Sequence, residues 1–225
     1  MAFRVKIVSP IKIDEADLKR RQVRYGAAAG PGTQIEVFNL PEGPTTLDTV
    51  ADLVFCEYAV FQQGANTRAD EFDAILIDCI FDPAVDSLRD YTGLPTFGPT
   101  RTTLSLVPLV AKKFSIIARS EKQCELLTDL IKRYGYGDAL ASTRALGISY
   151  AEARKSEVFT QAMKHQIKNA ITNDGARAIV MGSTTMALND ELIQAANGVP
   201  LFMPGMFALR VMESMWNEGL LRKQS

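Results

Sequence analysis

The chain has 225 residues, 47% of them hydrophobic and 23% charged, and its 25 basic and 26 acidic side chains give a net charge of −1. This length suits one large α/β domain or two small ones around a buried core. The charge balance argues against a nucleic-acid surface, and no apolar run reaches the roughly 18 residues of a membrane helix. The single histidine and three scattered cysteines disfavour a metal site and a disulfide scaffold, and fit a reducing, cytoplasmic compartment.

Strand-like and helix-like segments alternate along the first half of the chain. Charged and apolar residues alternate up to Pro10, which predicts a first strand, and residues 74–78 form the short apolar run typical of a central parallel strand. This succession predicts right-handed β-α-β units and a parallel sheet with helices on both faces. The elements predicted in this half are strands at 5–10, 34–38 and 74–78 and helices at 17–29 and 47–62.

The second half of the chain starts the same succession again. A second short apolar run precedes Ser183, and a long helical pattern carries apolar residues at Val158, Ala162 and Ile167. The elements predicted in this half are strands at 113–118 and 178–182 and helices at 121–134, 150–173, 190–196 and 207–218.

The two halves are related in sequence. Residues 73–79 align with residues 177–183, a shift of 104 residues. A Gly-x-Pro sequence that begins at Gly93 has its counterpart at Gly198, a shift of 105 residues. Two ordered blocks at a nearly constant offset predict a duplicated α/β unit.

We therefore predict an α/β fold of two halves related by a pseudo-twofold axis, each a parallel sheet flanked by helices. Residues 1–99 with 205–225 are predicted to form the first half, and residues 100–204 the second. Open α/β sheets bind ligands at the carboxyl ends of their strands. The active site is accordingly expected in a cleft between the two halves.

The repeat aligns Cys79 with Ser183, each after a buried strand and before a predicted helix. Amide groups at a helix N-terminus lower the pKa of a thiol, so a Cys79 thiolate could act as base or nucleophile without a histidine. The alternative is that Cys79 is one more small buried residue. Cys56 and Cys124 lie at apolar positions of helical patterns and are interpreted as core or surface thiols.

Hydroxyl groups follow several of the predicted strands. The run from Ser183 to Thr185 could hold a carboxylate or oxyanion, or could cap a helix. Ser9 and Ser120 are rough counterparts after the first strand of each half, and Arg119 is a candidate partner for an anion. These positions are predicted to bind substrate.

The chain resembles the aspartate/glutamate/hydantoin racemase superfamily, and the hydantoin and allantoin racemase branch is the closest part of it. The resemblance runs along nearly the whole chain, and the Cys-x-x-Asp-Pro sequence after a buried strand is its most specific element. Its strongest segments are residues 31–35, 78–84, 113–117, 144–146 and 175–182.

The resemblance implies two flavodoxin-like halves with an active site between them, no cofactor and no metal, and a small carboxylate or cyclic amide as substrate. Family members use a pair of cysteines on opposite faces of the substrate carbon, and the matching positions here are Cys79 and Ser183. It also implies a homo-oligomer. The residues expected to bind substrate are Ser9, Pro10, Ile80, Phe81, Arg119, Ser120, Thr184 and Thr185.

Two positions depart from that pattern. The branch has Asn-Pro-Asn where this chain has Ser9-Pro10-Ile11. It also has a second cysteine where this chain has Ser183, and this serine is either native or the result of an engineered Cys→Ser substitution. A hydroxyl has a pKa far above that of a thiol, about 8.5, so it is a poor proton-transfer group without a base beside it. The alternatives to a racemase are a single-cysteine decarboxylase, cis–trans isomerase or hydrolase, and a non-catalytic protein that binds a small carboxylate.

The C-terminal segment is unusually apolar. It is either a core helix or a subunit contact, and the second reading agrees with the homo-oligomer that the resemblance implies. The residues concerned are Met203, Met206, Phe207, Met212, Met215 and Trp216.

Overall fold

The computed structural model describes residues 2–148, 152 and 155–221. The chain divides into two compact units, one formed by Met1–Thr102 with Gly205–Ser225 and the other by Thr103–Pro204. The strands are β1 (Phe3–Val8), β2 (Thr33–Phe38), β3 (Ala74–Ile77), β4 (Thr96–Phe97), β5 (Phe114–Ala118), β6 (Leu140–Ala145), β7 (Ile179–Met181) and β8 (Leu201–Phe202). The helices are α1 (Glu15–Ala28), α2 (Val50–Ala65), α3 (Val85–Thr92), α4 (Pro99–Leu106), α5 (Glu121–Arg133), α6 (Ser156–Thr172), α7 (Asp190–Ala196) and α8 (Pro204–Asn217).

Each unit contains a four-stranded parallel sheet, and the two sheets have the same topology. The strand order is β2-β1-β3-β4 in the first unit and β6-β5-β7-β8 in the second. In the first sheet Val5 of β1 is in register with Ile35 on one side and Ala74 on the other. The predicted fold class, two α/β halves with helix-flanked parallel sheets, is confirmed, and β3 and β7 occupy equivalent positions.

The first unit has its core where β1 and β3 pack against α1 and α8. Leu209 and Met212 of α8 are fully buried in this core, and the ring of Trp216 stacks on Phe3 with ring centroids 4.8 Å apart. The core-helix reading of the C-terminal segment is therefore confirmed. Apolar residues buried in the core include Phe3, Val5, Ile7, Tyr25, Val37, Leu76, Ala208, Leu209 and Met212.

The second unit is built around Met163 and Ile167 of α6, which pack against Ile179 and Met181 of β7. The predicted start of this helix at Tyr150 lies outside the described residues, and the described helix begins at Ser156. Within the described part of the chain, no helix is long and apolar enough to cross a membrane.

Local capping explains why several helix boundaries differ from the predicted ones. The helix predicted from position 47 begins at Val50, because Thr49 and Asp52 form a capping box in which each side chain accepts the other's backbone N–H. The helix predicted from position 17 begins at Glu15, where Asp14 accepts a hydrogen bond from the Asp17 amide.

The predicted elements include neither α4 nor β6, and no bounds were predicted for α3, β4 and β8. Most residues of β6 are only half-buried, and the segment Leu-Ala-Ser-Thr-Arg-Ala has no alternating apolar pattern. It is nevertheless a strand because it pairs in parallel with the buried strand β5 at the edge of the sheet. Tertiary pairing therefore overrides a weak local signal here.

Candidate active site

Cys79 lies just beyond the carboxyl end of β3. The amide of Asp78 donates to the carbonyl of Val8 over 2.9 Å and so extends the pairing with β1 by one residue. The Cys79 amide donates to the Ile77 carbonyl over 2.8 Å, which turns the chain away from the strand. The thiol is buried, with 3% of the residue exposed. The Phe81 amide donates a hydrogen bond to the Cys79 Sγ over 3.4 Å.

The expectation that a helix N-terminus activates Cys79 is wrong. The next helix, α3, begins only at Val85, six residues further along the chain. Burial raises the pKa of the Cys79 thiol well above its usual range, and the Cys56 side chain and the charge of Asp82 raise it further. The hydrogen bond from the Phe81 amide acts in the opposite direction and lowers this pKa. Desolvation therefore outweighs the single amide donor, and the thiol form dominates at neutral pH.

A rate that depends on the Cys79 thiolate is expected to rise with pH. The raised pKa means that the thiolate fraction at neutral pH is smaller than that of a free cysteine, so kcat/KM should continue to increase as the pH rises above neutrality. A pH profile of kcat/KM measures this. A profile that is already flat above about pH 7 would contradict an essential, buried thiolate.

The turn after Cys79 is held by the beginning of α4. Asp82 has a positive φ of 51°, and its carboxylate accepts hydrogen bonds from the amides of Thr100, at 3.0 Å, and Arg101, at 2.7 Å. Gly98 is required there, because a Cβ at this position would meet the Asp82 Cγ at 2.4 Å. Asp82 therefore caps α4 rather than α3, the helix that follows it directly in the chain.

Asp78 lies behind the thiol in a buried cluster of charged and polar groups. Its carboxylate, which is fully buried, forms an ion pair with Arg21 and accepts a hydrogen bond from the Tyr25 hydroxyl at 2.6 Å. A second arginine, Arg24, lies 3.4 Å from the same carboxylate. The cluster joins α1 to the residue immediately before Cys79 and so supports the strand end that carries the thiol.

The end of β1 brings Ser9 and Pro10 into the same unit as Cys79. The Ser9 hydroxyl is buried and donates to the Ile11 carbonyl over 2.9 Å. The Pro10 carbonyl accepts a hydrogen bond from the thiol of Cys56, with a sulfur–oxygen distance of 3.1 Å. The Cys56 side chain is also one of the groups that raise the pKa of the Cys79 thiol. Sequence reasoning interpreted Cys56 only as a core or surface thiol, since nothing in its local spacing indicates an effect on Cys79.

Ser183 occupies the equivalent position after β7 in the second unit. Gly182 donates its amide to the Ile117 carbonyl over 2.8 Å, and a Cβ there would meet the Ala118 Cα at 2.7 Å, so glycine allows this close approach. The Ser183 hydroxyl is half-buried and lies 2.9 Å from the Thr185 hydroxyl, and the Thr185 amide approaches it to 3.3 Å.

The run from Ser183 to Thr185 is not a helix start, which corrects a second expectation. The next helix, α7, begins at Asp190, and its N-cap is Asn189, whose side chain accepts from the Leu192 amide. The three hydroxyl residues lie in a turn, with Thr184 buried and Thr185 exposed. Because they are not needed to cap a helix, the hydroxyls of this turn keep their predicted role as ligand groups.

The other predicted substrate-binding residues divide between the two units. Ile80 and Phe81 lie buried in the turn after Cys79. Arg119 and Ser120 follow β5, and the Ser120 side chain caps α5 by accepting from the Gln123 amide at 3.3 Å. Each unit thus brings its own candidates to the carboxyl end of its sheet.

Comparison with known proteins identifies the family. A family model described as Asp/Glu/Hydantoin racemase matches residues 18–211 of the chain. The chain belongs to this family. It is an enzyme of the racemase type that acts on a small molecule, which confirms the resemblance found in the sequence.

The individual relatives are distant but cover most of the chain. A hydantoin racemase from Paenarthrobacter aurescens is 28% identical over 191 residues, 82% of this chain and 79% of that protein. A hydantoin racemase from Pseudomonas sp. (strain NS671) is 24% identical over 200 residues, 88% of this chain and 80% of that protein. The structure of the allantoin racemase from Klebsiella pneumoniae has the same fold, with a TM-score of 0.87, 24% identity, and coverage of 97% of this chain and 89% of that one.

Proposed function

We propose that the enzyme racemises a hydantoin-like or amino-acid-like compound by moving the proton on the carbon α to a carbonyl, with Cys79 and Ser183 on opposite faces of that carbon. The observation that carries the proposal is that these residues follow β3 and β7, equivalent strands of two sheets with the same order. The substrate class is supported by relatives that are named hydantoin racemase and allantoin racemase. The three relatives named above are all called racemases, which favours racemisation over the single-thiol alternatives.

The proposed chemistry needs no cofactor. Racemisation removes a proton from one face of a carbon acid and returns a proton to the other face. In one direction the Cys79 thiolate takes the α-proton, and the electron pair left on carbon delocalises onto the neighbouring carbonyl oxygen. The Ser183 hydroxyl then gives a proton to the opposite face of the carbon. In the other direction the two groups exchange roles.

The developing oxyanion needs hydrogen-bond donors that are already in place. Backbone amides in the turn that contains Ile80 and Phe81, and hydroxyls of Thr184 and Thr185, are proposed to supply them. Ser9, Pro10, Arg119 and Ser120 are proposed as further contacts to the ring or the carboxylate of the substrate. None of these roles requires a metal ion, and among the described residues no group of three or more His, Cys, Asp or Glu side chains could hold one.

Incubation with enantiopure hydantoins and free amino acids in D₂O tests the function. Racemisation predicts loss of optical rotation together with incorporation of one solvent deuteron at the α-carbon. A panel of 5-substituted hydantoins, allantoin, aspartate and glutamate separates the cyclic-amide substrates from the amino acids. Retention of rotation and of the α-proton for every compound would refute the proposal.

Substitution of Ser183 by cysteine is expected to raise kcat/KM for racemisation by about tenfold, because a thiol exchanges protons far more readily than a hydroxyl. The enantiomers have equal free energies, so a slow proton transfer at Ser183 limits both directions equally. The gain should appear for both enantiomers in a polarimetric assay. Ser156→Cys, which adds a thiol at an exposed position of α6, is the matched control and should change nothing. An unchanged or lower kcat/KM in Ser183→Cys would contradict a proton-transfer role for this position.

A homo-oligomer and a cytoplasmic location remain predictions. The exposed apolar side chains of Val50, Val54 and Tyr58 on α2 support self-association. Sedimentation velocity of the purified chain over a range of concentrations measures the oligomeric state. A single species at the monomer mass throughout that range would refute self-association.

A further inference from the structure

The turn after Cys79 contains one peptide group that is hydrogen-bonded at both of its ends. The Phe81 amide donates to the Cys79 Sγ over 3.4 Å. The Ile80 carbonyl, which belongs to the same peptide group, accepts a hydrogen bond from the Thr100 hydroxyl over 2.5 Å. A trans peptide group is planar, so its N–H and its C=O point in opposite directions. The hydroxyl that holds the Ile80 carbonyl therefore also determines where the Phe81 N–H points.

Thr100 is itself fixed against the same turn. It is fully buried on α4, and its amide donates to the Asp82 carboxylate over 3.0 Å. The Arg101 amide donates to the same carboxylate over 2.7 Å. The hydroxyl and the amide of Thr100 thus bind Ile80 and Asp82, the residues on either side of Phe81. The start of α4 therefore provides a rigid support for the peptide group that contacts the thiol.

We propose that Thr100 is a positioning residue for the Cys79 thiol: its hydroxyl fixes the peptide group between Ile80 and Phe81 so that the Phe81 N–H is directed at the sulfur. The inference rests on the proposed role of Cys79 as the thiolate that removes the α-proton. An N–H that is directed at a sulfur stabilises the thiolate over the thiol, because a charged acceptor forms the stronger hydrogen bond. Thr100 thereby favours the reactive form of Cys79 and acts on it through the peptide group.

The groups that oppose the Phe81 amide do not depend on the Thr100 hydroxyl. Burial, the Cys56 side chain and the charge of Asp82 raise the pKa of Cys79, and the Phe81 amide lowers it. The backbone amides that hold the Asp82 carboxylate stay in place when only the Thr100 side chain is changed.

The carboxylate of Asp78 is the other charge close to the thiol along the chain. It pairs with Arg21 and Arg24 of α1, and these ion pairs do not involve the Thr100 hydroxyl. A change in the reactivity of Cys79 after removal of this hydroxyl therefore reports the peptide group that it holds.

The test is the rate of Cys79 alkylation by iodoacetamide from about pH 7 to about pH 9, with the modified cysteine identified by peptide mass spectrometry. Below the pKa of the thiol this rate is proportional to the thiolate fraction. Thr100→Val keeps the shape of the side chain but removes the hydroxyl, and the rate should fall by about three- to tenfold at each pH. Thr100→Ala removes the same hydroxyl without placing a methyl group against the Ile80 carbonyl, and the same fall is expected.

Two control variants separate the hydrogen bond from a general effect on packing. Thr100→Ser keeps a hydroxyl that can donate to the carbonyl, so its alkylation rate should stay within about twofold of that of the unchanged protein. Thr103 is a fully buried threonine of the same helix, and within the described part of the chain its hydroxyl has no hydrogen-bond partner. Thr103→Val removes no hydrogen bond and should also leave the rate within about twofold.

The pH profile of kcat/KM provides a second readout. Its rising limb should move to higher pH by about 0.5–1 unit in Thr100→Val and stay close to its original position in Thr100→Ser. An unchanged or higher alkylation rate in either Thr100→Val or Thr100→Ala, or an equal fall in Thr100→Ser or Thr103→Val, would overturn the proposal. Alkylation reports the state of the thiol even in a protein without racemase activity, so failure of this inference is distinguishable from failure of the proposed function.

Discussion

Replacement of Cys79 by alanine is expected to lower kcat/KM for racemisation by roughly 10²–10⁴-fold, the contribution of a positioned acid–base group. The proposed mechanism has one thiol at the reacting carbon, and Ser183 cannot carry out the proton transfers on both faces of that carbon by itself. Exchange of the α-proton with solvent should be lost together with the change in optical rotation. Both are measured in one D₂O experiment by NMR and polarimetry.

Cys124→Ala is the matched control for this loss. Cys124 is likewise buried, and burial raises the pKa of its thiol to about 11, but it lies on α5 rather than at the end of a strand. Its removal should leave kcat/KM within about twofold of the unchanged enzyme, because its substitution affects packing and not proton transfer. Full activity in Cys79→Ala would show that the Cys79 thiol takes no part in the reaction. Equal losses in the two variants would indicate a general effect on folding.

The two parallel sheets could be predicted because their central strands give strong local signals. The apolar runs that became β3 and β7 are fully buried, so their composition alone distinguishes them from helices and edge strands. Their shared offset also predicted that the two halves have the same topology. The edge strand β6 could not be predicted, because residues on both of its faces are mostly half-buried and its polar residues give no period-2 pattern.

The sequence predicted where the candidate site residues lie along the chain, but it did not predict their electrostatic environment. Cys79 and Ser183 both follow their strands as expected, since alignment of a repeat locates residues along the chain. The electrostatics of Cys79 depend on contacts that are distant in sequence. Cys56 comes from α2, 23 residues earlier in the chain, and the donors that hold Asp82 belong to α4, after another strand. No local pattern reports such contacts, so the pKa of the Cys79 thiol was predicted to be lowered although it is raised.

Asp78 is another position whose role became evident only in the structure. The sequence places it directly before Cys79 and indicates nothing about its partners. In the structure it has no exposed side-chain surface and is surrounded by Arg21, Arg24 and Tyr25. A buried carboxylate that is held by two arginines and a tyrosine has a structural role. We therefore expect its substitution to affect stability.

Replacement of Asp78 by alanine is expected to lower the free energy of unfolding by about 3–5 kcal/mol, because it leaves a buried guanidinium without its main counter-charge. Arg21 has a side chain that is 5% exposed, and it would keep only the more distant carboxylate of Asp17, at 3.7 Å, among these ion pairs. The hydroxyl of Tyr25 would also lose its acceptor. A loss of this size is a large part of the total stability of a typical domain, about 5–15 kcal/mol.

Urea unfolding followed by tryptophan fluorescence measures this effect in the unit that contains Asp78. The single tryptophan of the chain, Trp216, stacks on Phe3 in the core of that same unit. The matched control is Asp86→Ala, which likewise removes a carboxylate paired with two arginines, Arg89 and Arg101, but at a site where all three side chains are at least 42% exposed. It should cost about 0–1 kcal/mol. Equal costs for the two aspartate variants would contradict a stabilising effect of the buried cluster, since the two carboxylates differ chiefly in burial. A larger cost for Asp78→Ala would establish that the buried cluster stabilises the strand end that carries Cys79.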